Sequence, residues 1–417
     1  MRVFFVLLVG AVFGGMPGAL PGQGSGGDLE LRFKRIDKDS DGRIRRDEFP
    51  WDDLLFRRID GDGDGSISID ELVTFSDGRR LDVSKQRPES TLIEWEIPDG
   101  APVTSEACRK AAEYSARADG YSVLVMWRGA TVFEQYDNGW SEGTAHRLAS
   151  GTKSFAGVMA AAAVADGLLE SFDEKVSDTI VEWEADELLK DVTVRQLLTL
   201  TSGLDTGDNG EVPSYASAVR DVRVRHEPGK VFEYGPVPFQ VFGELMRRKL
   251  EGAPEIAYEY LDERVFGPIG LAVTHWRVDE NDQRHAPSGA FLTAREWAKF
   301  GEFLRMGGRV DGKEIIESSL LMELTEGTEA NAGYGMTFWL LGPGEATGAA
   351  SVGMREQLEG AYMAAGAGKQ RLFVLPILDL VVVRQGETKG RAFDNAKFLG
   401  LLLGREDSGP IGPANNP

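Results

Sequence analysis

Residues 146–169 read HRLASGTKSFAGVMAAAAVADGLL, and the fold is decided here. The run is Ala-rich and apolar with Gly167 near its end, so Ser150–Leu169 is expected to form a buried helix. Ser150-Gly151-Thr152-Lys153 opens that helix. Positions i and i+3 lie on one helix face, which makes the hydroxyl and the amine neighbours. A lysine so placed can take the serine proton, provided desolvation and neighbouring groups keep it partly neutral. The helix N-terminus adds backbone N–H groups and a dipole suited to an oxyanion. Taken alone, S-x-x-K is weak, since a chain of this size contains roughly one by chance. A helix-capping serine and a surface lysine would give the same four letters.

Other hydrolase signatures are missing. No serine sits in a G-x-S-x-G elbow, there is no HExxH, and none of the four histidines has a triad context. Upstream of the helix, Tyr121–Trp127 and Thr131–Tyr136 are β-rich runs separated by Arg128-Gly129-Ala130, a hairpin by spacing. Far downstream, Met336–Leu341, Arg371–Leu375 and Leu378–Arg384 are strand-like again. Between them, from about Val192 to Phe303, helices alternate with loops. Strands at both ends and helices in the middle predict one sheet completed by both ends of a domain, with a helical insertion. The boundaries expected are 106–404 for this domain, 77–105 for a polar linker before it, and 405–417 for a disordered Gly/Pro/Asn tail.

Ahead of the linker, within residues 28–76, two loops repeat one pattern. Asp37, Asp39, Asp41, Gly42, Arg43, Ile44 and Glu48 fill positions 1, 3, 5, 6, 7, 8 and 12 of the first. Asp60, Asp62, Asp64, Gly65, Ser66, Ile67 and Glu71 fill the same positions of the second. Calcium takes six to eight oxygens, which alternating carboxylates and a bidentate Glu provide, while Gly permits the sharp turn. Position 7 contributes a backbone carbonyl, so Arg43 and Ser66 are both acceptable there. Ile44 and Ile67 are expected to pair across the loops. This is an EF-hand pair, a small all-α module expected to bind structural Ca2+ and to serve stability or docking rather than sensing.

Composition narrows the partners. With 67 acidic against 46 basic residues the net charge is -21, which opposes nucleic-acid binding. Residues 1–22, MRVFFVLLVGAVFGGMPGALPG, read as a signal peptide: Arg2 starts it, Phe4–Phe13 is apolar, and Pro17–Gly22 is a small-residue exit. The apolar run is short for a bilayer, so no lasting membrane anchor is expected. The chain is read as exported, periplasmic or secreted. Its single cysteine, Cys108, cannot form an intrachain disulfide, so the exported fold must rest on core packing.

The stretch 146–169 is followed by VTVRQLLTLTSGL (192–204) and PGKVFEYGPVPFQVFGELM (228–246). Then come SGAFLTAREWAKFGEFLRMGGRVDGKEII (288–316) and AAGAGKQRLFVLPILDLVVV (364–383). As an ordered set, over about residues 106–404, this resembles the serine β-lactamase and penicillin-binding-protein superfamily. It is most similar to class C β-lactamase-related esterases and 6-aminohexanoate-dimer hydrolases. The resemblance implies an α+β fold, an α/β sandwich with an antiparallel sheet plus a helical subdomain. It also implies hydrolysis of a small ester or amide through an acyl-Ser150 intermediate, with no catalytic cofactor. Ser150 would be the nucleophile, Lys153 its base and Tyr234, in Tyr234-Gly235-Pro236, the proton shuttle. The third motif falls on Ala364-Ala365-Gly366, and Ala367 N–H would join Ser150 N–H in the oxyanion hole. Two departures stand out. Pro236 removes the side-chain amide of the second motif, and Ala364 the charged member of the third. Both count against the alternative of a β-lactamase or D-Ala-D-Ala carboxypeptidase. A further alternative, a non-catalytic binding protein on this fold, is opposed by the retention of Ser150, Lys153 and Tyr234 together.

Overall fold

The computed structural model describes residues 33–405 apart from 40, 47, 50–55, 57–58, 61–64, 70, 73–89, 208–210, 252–255, 280, 342–353, 355 and 389–391. The expected signal peptide, Asp62, Asp64, residues 77–89 of the expected linker and residues 406–417 lie outside the described residues. The chain divides into two compact units, Met1–Ser90 with Asp137–Gly139, and Thr91–Tyr136 with Trp140–Pro417.

In the first unit, Ile44–Arg45 pairs antiparallel with Ser66–Ile67, and Ile44 stands opposite Ile67 as the loop pattern requires. Both isoleucines are fully buried beside Phe33, Ile36, Phe49, Phe56, Ile59 and Leu72. Gly42 and Gly65, at the sixth loop positions, both have φ +85, a left-handed turn that suits glycine.

The second unit is built on a seven-stranded antiparallel sheet. Its strands are β1 Thr91–Ile93, β2 Gly120–Trp127, β3 Ala130–Tyr136, β4 Trp339–Leu340, β5 Tyr362–Gly366, β6 Gln370–Leu375 and β7 Leu380–Gly386. The order across the sheet is β4-β5-β6-β7-β2-β3-β1. Strands from both ends of the domain therefore meet at the β7–β2 junction, where Val382 faces Val125. The β2–β3 hairpin turns on Arg128 and Gly129, with φ +50 and +83, the two positive values that a two-residue type I′ turn demands.

Helices cover both faces. On one side α1 (Ser105–Arg117) and α5 (Asn395–Leu402) close a core containing Cys108, Phe373, Val382 and Phe398. Burial pushes the Cys108 thiol up to about 12, which makes it an inert core residue. On the other side α4 (Ala294–Arg305) packs on β6 and β7 and leads into a larger core. That core holds α2 (Lys153–Ala165) and α3 (Val237–Lys249). Covered on both faces, the strands read as near-continuous apolar runs, which is why Leu380–Val383 carries no alternation.

Four local expectations need correction. The helix begins at Lys153, preceded by a 3-10 turn over Ala149–Thr152, so Ser150 lies on the tighter turn and not in the helix proper. Of Met336–Leu341 only Trp339–Leu340 is strand, because Tyr334 and Trp339 bridge and the chain turns back there. Thr91–Ile93, expected within the polar linker 77–105, is an edge strand of the sheet paired with Glu134–Tyr136, and Tyr362–Gly366, not expected as a strand, is strand throughout.

The glycine that ends this strand has a steric cause. A Cβ on Gly366 would lie 2.0 Å from the Leu148 carbonyl oxygen and 3.0 Å from the Gly151 nitrogen. The end of β5 is thus wedged against the turn that carries Ser150. Gly366→Ala is expected to cost about 1–3 kcal/mol of stability by overpacking. Gly143→Ala, where nothing lies within 4 Å, should stay within about 0.5 kcal/mol of wild type. Equal denaturant midpoints for the two variants would contradict this wedge.

Candidate active site

Leu148 anchors the approach to the turn by donating its N–H to the Ala290 carbonyl at 2.9 Å. Ala149 then takes a left-handed φ of +48, uncommon for a residue with a side chain, and the chain folds sharply into Ser150. The turn is braced underneath by Ser154 Oγ, which donates to the Gly151 carbonyl at 2.7 Å. Thr152 Oγ1 accepts from Ala290 N at 3.2 Å.

Lys153 points back along this turn. Its Nζ donates to Ser150 Oγ at 3.1 Å and to the Pro287 carbonyl at 3.1 Å. It lies 5.0 Å from the ring centre of Tyr234 and 5.2 Å from that of Phe239. The side chain is 3% exposed, and no carboxylate pairs with it among the described residues. Loss of hydration brings the amine down to about 7. Apolar packing has done what an acidic partner would undo.

Tyr234 immediately precedes α3, whose N-cap is Pro236. The cap forms no side-chain hydrogen bond, as expected from a residue without an amide to present. The Tyr234 phenol lies close enough to the Ser150 side chain to be drawn down by it. Burial pushes the phenol up to about 12, opposed by the Ser150 side chain and by the charge of Arg371. Phe232, Tyr334 and Trp339 surround its ring, with centroids 6.4, 6.2 and 5.8 Å away.

The sequence-predicted set therefore converges. Ser150, Lys153 and Tyr234 meet around one hydroxyl. Ala367 opens a turn, Ala367–Lys369, that packs against the Ser150 turn at the end of β5. Other groups carried no legible signal. The Pro287 carbonyl is backbone and leaves no trace in side-chain patterns. Phe239 reads as one more apolar residue of α3. Arg371 and Arg384 stood inside strand-like runs; the signal available was a charge in a strand otherwise made of valine and leucine.

The described loop residues fit a hard cation. Oxygens of Asp37, Asp39 and Glu48 lie within 4.8 Å of one another, an all-oxygen set of the kind calcium takes. Asp37 Oδ2 accepts from Gly42 N at 3.0 Å, and Asp60 Oδ2 from Gly65 N at 3.1 Å, so the two loops share their turn geometry. Arg45 donates to Asp39 at 2.8 Å and also to Asp41. Arg43 Nη1 donates to Ser66 Oγ at 2.9 Å. Ser68 Oγ donates to Glu71 at 2.8 Å.

Comparison with known proteins gives the family and the fold. The profile of the family described as Beta-lactamase matches residues 107–398, and that of the EF hand matches 29–49 and 52–76. Protein Rv1367c of Mycobacterium tuberculosis is 28% identical over 199 residues, 36% of this chain and 49% of that protein. The alignment thus spans about half the length of that relative. A penicillin-binding protein homologue from Caulobacter crescentus superposes with TM-score 0.59 at 17% identity, covering 76% of this chain and 98% of that one. A family VIII carboxylesterase gives TM-score 0.57 at 18% identity, covering 75% and 98%. These solved structures share the fold. No described helix is long and apolar enough to cross a membrane.

An amine that changes charge near pH 7 leaves a kinetic mark. Below about 7 Lys153 is protonated and cannot take a proton; above it the neutral amine can. Turnover that uses this amine should therefore rise with pH on its acid limb, with a midpoint near 7. Measuring kcat/KM from pH 5 to 9 checks this, and a flat profile through neutrality would remove Lys153 from the reaction.

Proposed function

We propose, because this chain belongs to the β-lactamase family, that it is an exported serine hydrolase cleaving a small ester or amide through an acyl-Ser150 intermediate. One observation carries the reading: a buried amine, with no acidic partner among the described residues, lies 3.1 Å from the Ser150 hydroxyl. Ser150 Oγ attacks the substrate carbonyl as its proton passes to neutral Lys153. The oxyanion forms against the Ser150 and Ala367 N–H groups. Tyr234, pushed up to about 12 by burial, is a neutral phenol at pH 7. It therefore relays a proton to the leaving group and does not serve as the primary base. Water then attacks the acyl-enzyme by the same path in reverse, releasing the acid and restoring Ser150. Ser150→Ala should abolish turnover and fluorophosphonate labelling with an unchanged far-UV spectrum; undiminished ester hydrolysis by that variant would sink the assignment.

The substrate is read as neutral around the scissile bond. Pro236 and Ala364 offer neither amide nor cation to a β-lactam's side-chain amide and carboxylate, and a contact to a charged group typically matters by about 1.5–3 kcal/mol. The EF-hand loops would hold calcium through Asp37, Asp39, Asp41 and Glu48, with the Arg43 carbonyl. The second loop would use Asp60, Asp62, Asp64 and Glu71, with the Ser66 carbonyl. When bound, the ion neutralises carboxylates whose mutual repulsion opposes folding of the module. Chelation is expected to remove one thermal transition and leave ester turnover nearly unchanged. Reversible loss of turnover on chelation would contradict independent units.

A further inference from the structure

Two guanidinium groups lie behind the turn that carries Ala367. Arg384, on β7, is fully buried. All five of its N–H donors are used, and none meets a carboxylate. Nε donates to Ser115 Oγ at 3.0 Å. Nη1 donates to the carbonyls of Gly368 and Lys369, both at 2.9 Å. Nη2 donates to the Ala118 carbonyl at 2.9 Å and to Thr388 Oγ1 at 2.6 Å. Arg371, on β6, is 8% exposed. It donates to the Gly366 carbonyl at 3.3 Å, the Gln370 carbonyl at 2.8 Å and Asn395 Oδ1 at 2.9 Å. Among the described residues neither arginine forms an ion pair.

A buried, unpaired guanidinium is costly, so its hydrogen bonds matter. Here they converge on one short segment. The carbonyls of Gly366, Gly368 and Lys369 are all clamped, and Gln370 Nε2 holds the Ala367 carbonyl at 3.2 Å. Gly368 and Lys369 have φ of +76 and +61, a conformation that needs outside support at the lysine. Holding the carbonyls on either side of Ala367 fixes the peptide plane that aims its N–H. The bonds to Ser115 and Ala118 tie the turn to the C-terminal end of α1, a rigid element.

We propose that Arg384, with Arg371 beside it, is a positioning residue that sets the Ala367–Lys369 turn and holds the Ala367 N–H on the Ser150 carbonyl site. Burial lowers Arg384 to about 9 and Arg371 to about 10, so both are cations at neutral pH. The charge of Arg371 also reaches the Tyr234 phenol and draws it downward. The proposal rests on the acyl-Ser150 reading for its chemistry, and on the geometry of the turn alone for its structure.

The test uses the full chain with Arg384→Gln, Arg384→Lys and the milder Thr388→Val, which keeps the guanidinium but removes one of its acceptors. Each is assayed on a matched ester and thionoester, because a hole built for oxygen discriminates against sulfur. Arg384→Gln should lose about 10²–10³-fold in kcat, the range for losing one oxyanion donor. KM should move by less than about threefold, and the oxygen-over-sulfur preference should collapse. Arg384→Lys should recover part of both, and Thr388→Val should lie between Lys and wild type. A folded Arg384→Gln with kcat within twofold and an unchanged oxygen-over-sulfur ratio would overturn the proposal. If Arg384→Gln does not fold, Thr388→Val decides: a changed ratio supports the clamp and an unchanged one removes it. If wild type turns over no ester, the functional reading fails by itself. The clamp is then judged by amide exchange at Gly368–Gln370, expected to accelerate in Thr388→Val, and unaltered exchange overturns it.

Discussion

Burying the Lys153 amine between the rings of Tyr234 and Phe239 is the constraint around which this site is arranged. Taking an ammonium out of water costs several kcal/mol after relaxation. The fold meets that cost without a carboxylate, by offering the Ser150 hydroxyl and the Pro287 carbonyl and letting the proton leave near neutrality. An acidic partner would stabilise the protein more and hold the proton. The absence of such a partner among the described residues is therefore an exchange of stability for basicity.

The same logic orders the surroundings. Ala-rich α2 has few side chains large enough to separate it from its neighbours, so α2 lies deep in the larger core and carries Lys153 with it. Its start is pinned from two sides, by Ala290 on one strand and by the end of β5 on another. Ala149 absorbs the misfit as a left-handed residue. Rigid support on both sides of a strained turn is what keeps the Ser150 side chain at one geometry.

Much of this was legible in the amino-acid order. The i, i+3 spacing put Ser150 beside Lys153, and the apolar run around them announced burial. The β2–β3 hairpin followed from Arg128-Gly129, and Ile44 opposite Ile67 followed from the loop pattern. What escaped has physical reasons. Tyr362–Gly366 is a strand that ends in Gly366 because the Ser150 turn presses on that position, so a steric demand from elsewhere in the domain weakened its β signature. The Pro287 carbonyl belongs to backbone geometry. Arg384 was hidden by its length: a side chain that spends its donors on five acceptors in α1 and two turns leaves no local periodicity to read.

The sheet's order of assembly has a consequence for synthesis. Ser122 bonds Gln385 across 263 positions, and β2 cannot find its central neighbour until nearly all of the domain exists. An unfinished chain ending before Tyr362 already holds Ser150, Lys153 and Tyr234. It lacks the strand that wedges the Ser150 turn and the segment that carries Ala367. The turn that carries Ser150 therefore has its full support only once the last strands of the sheet are in place.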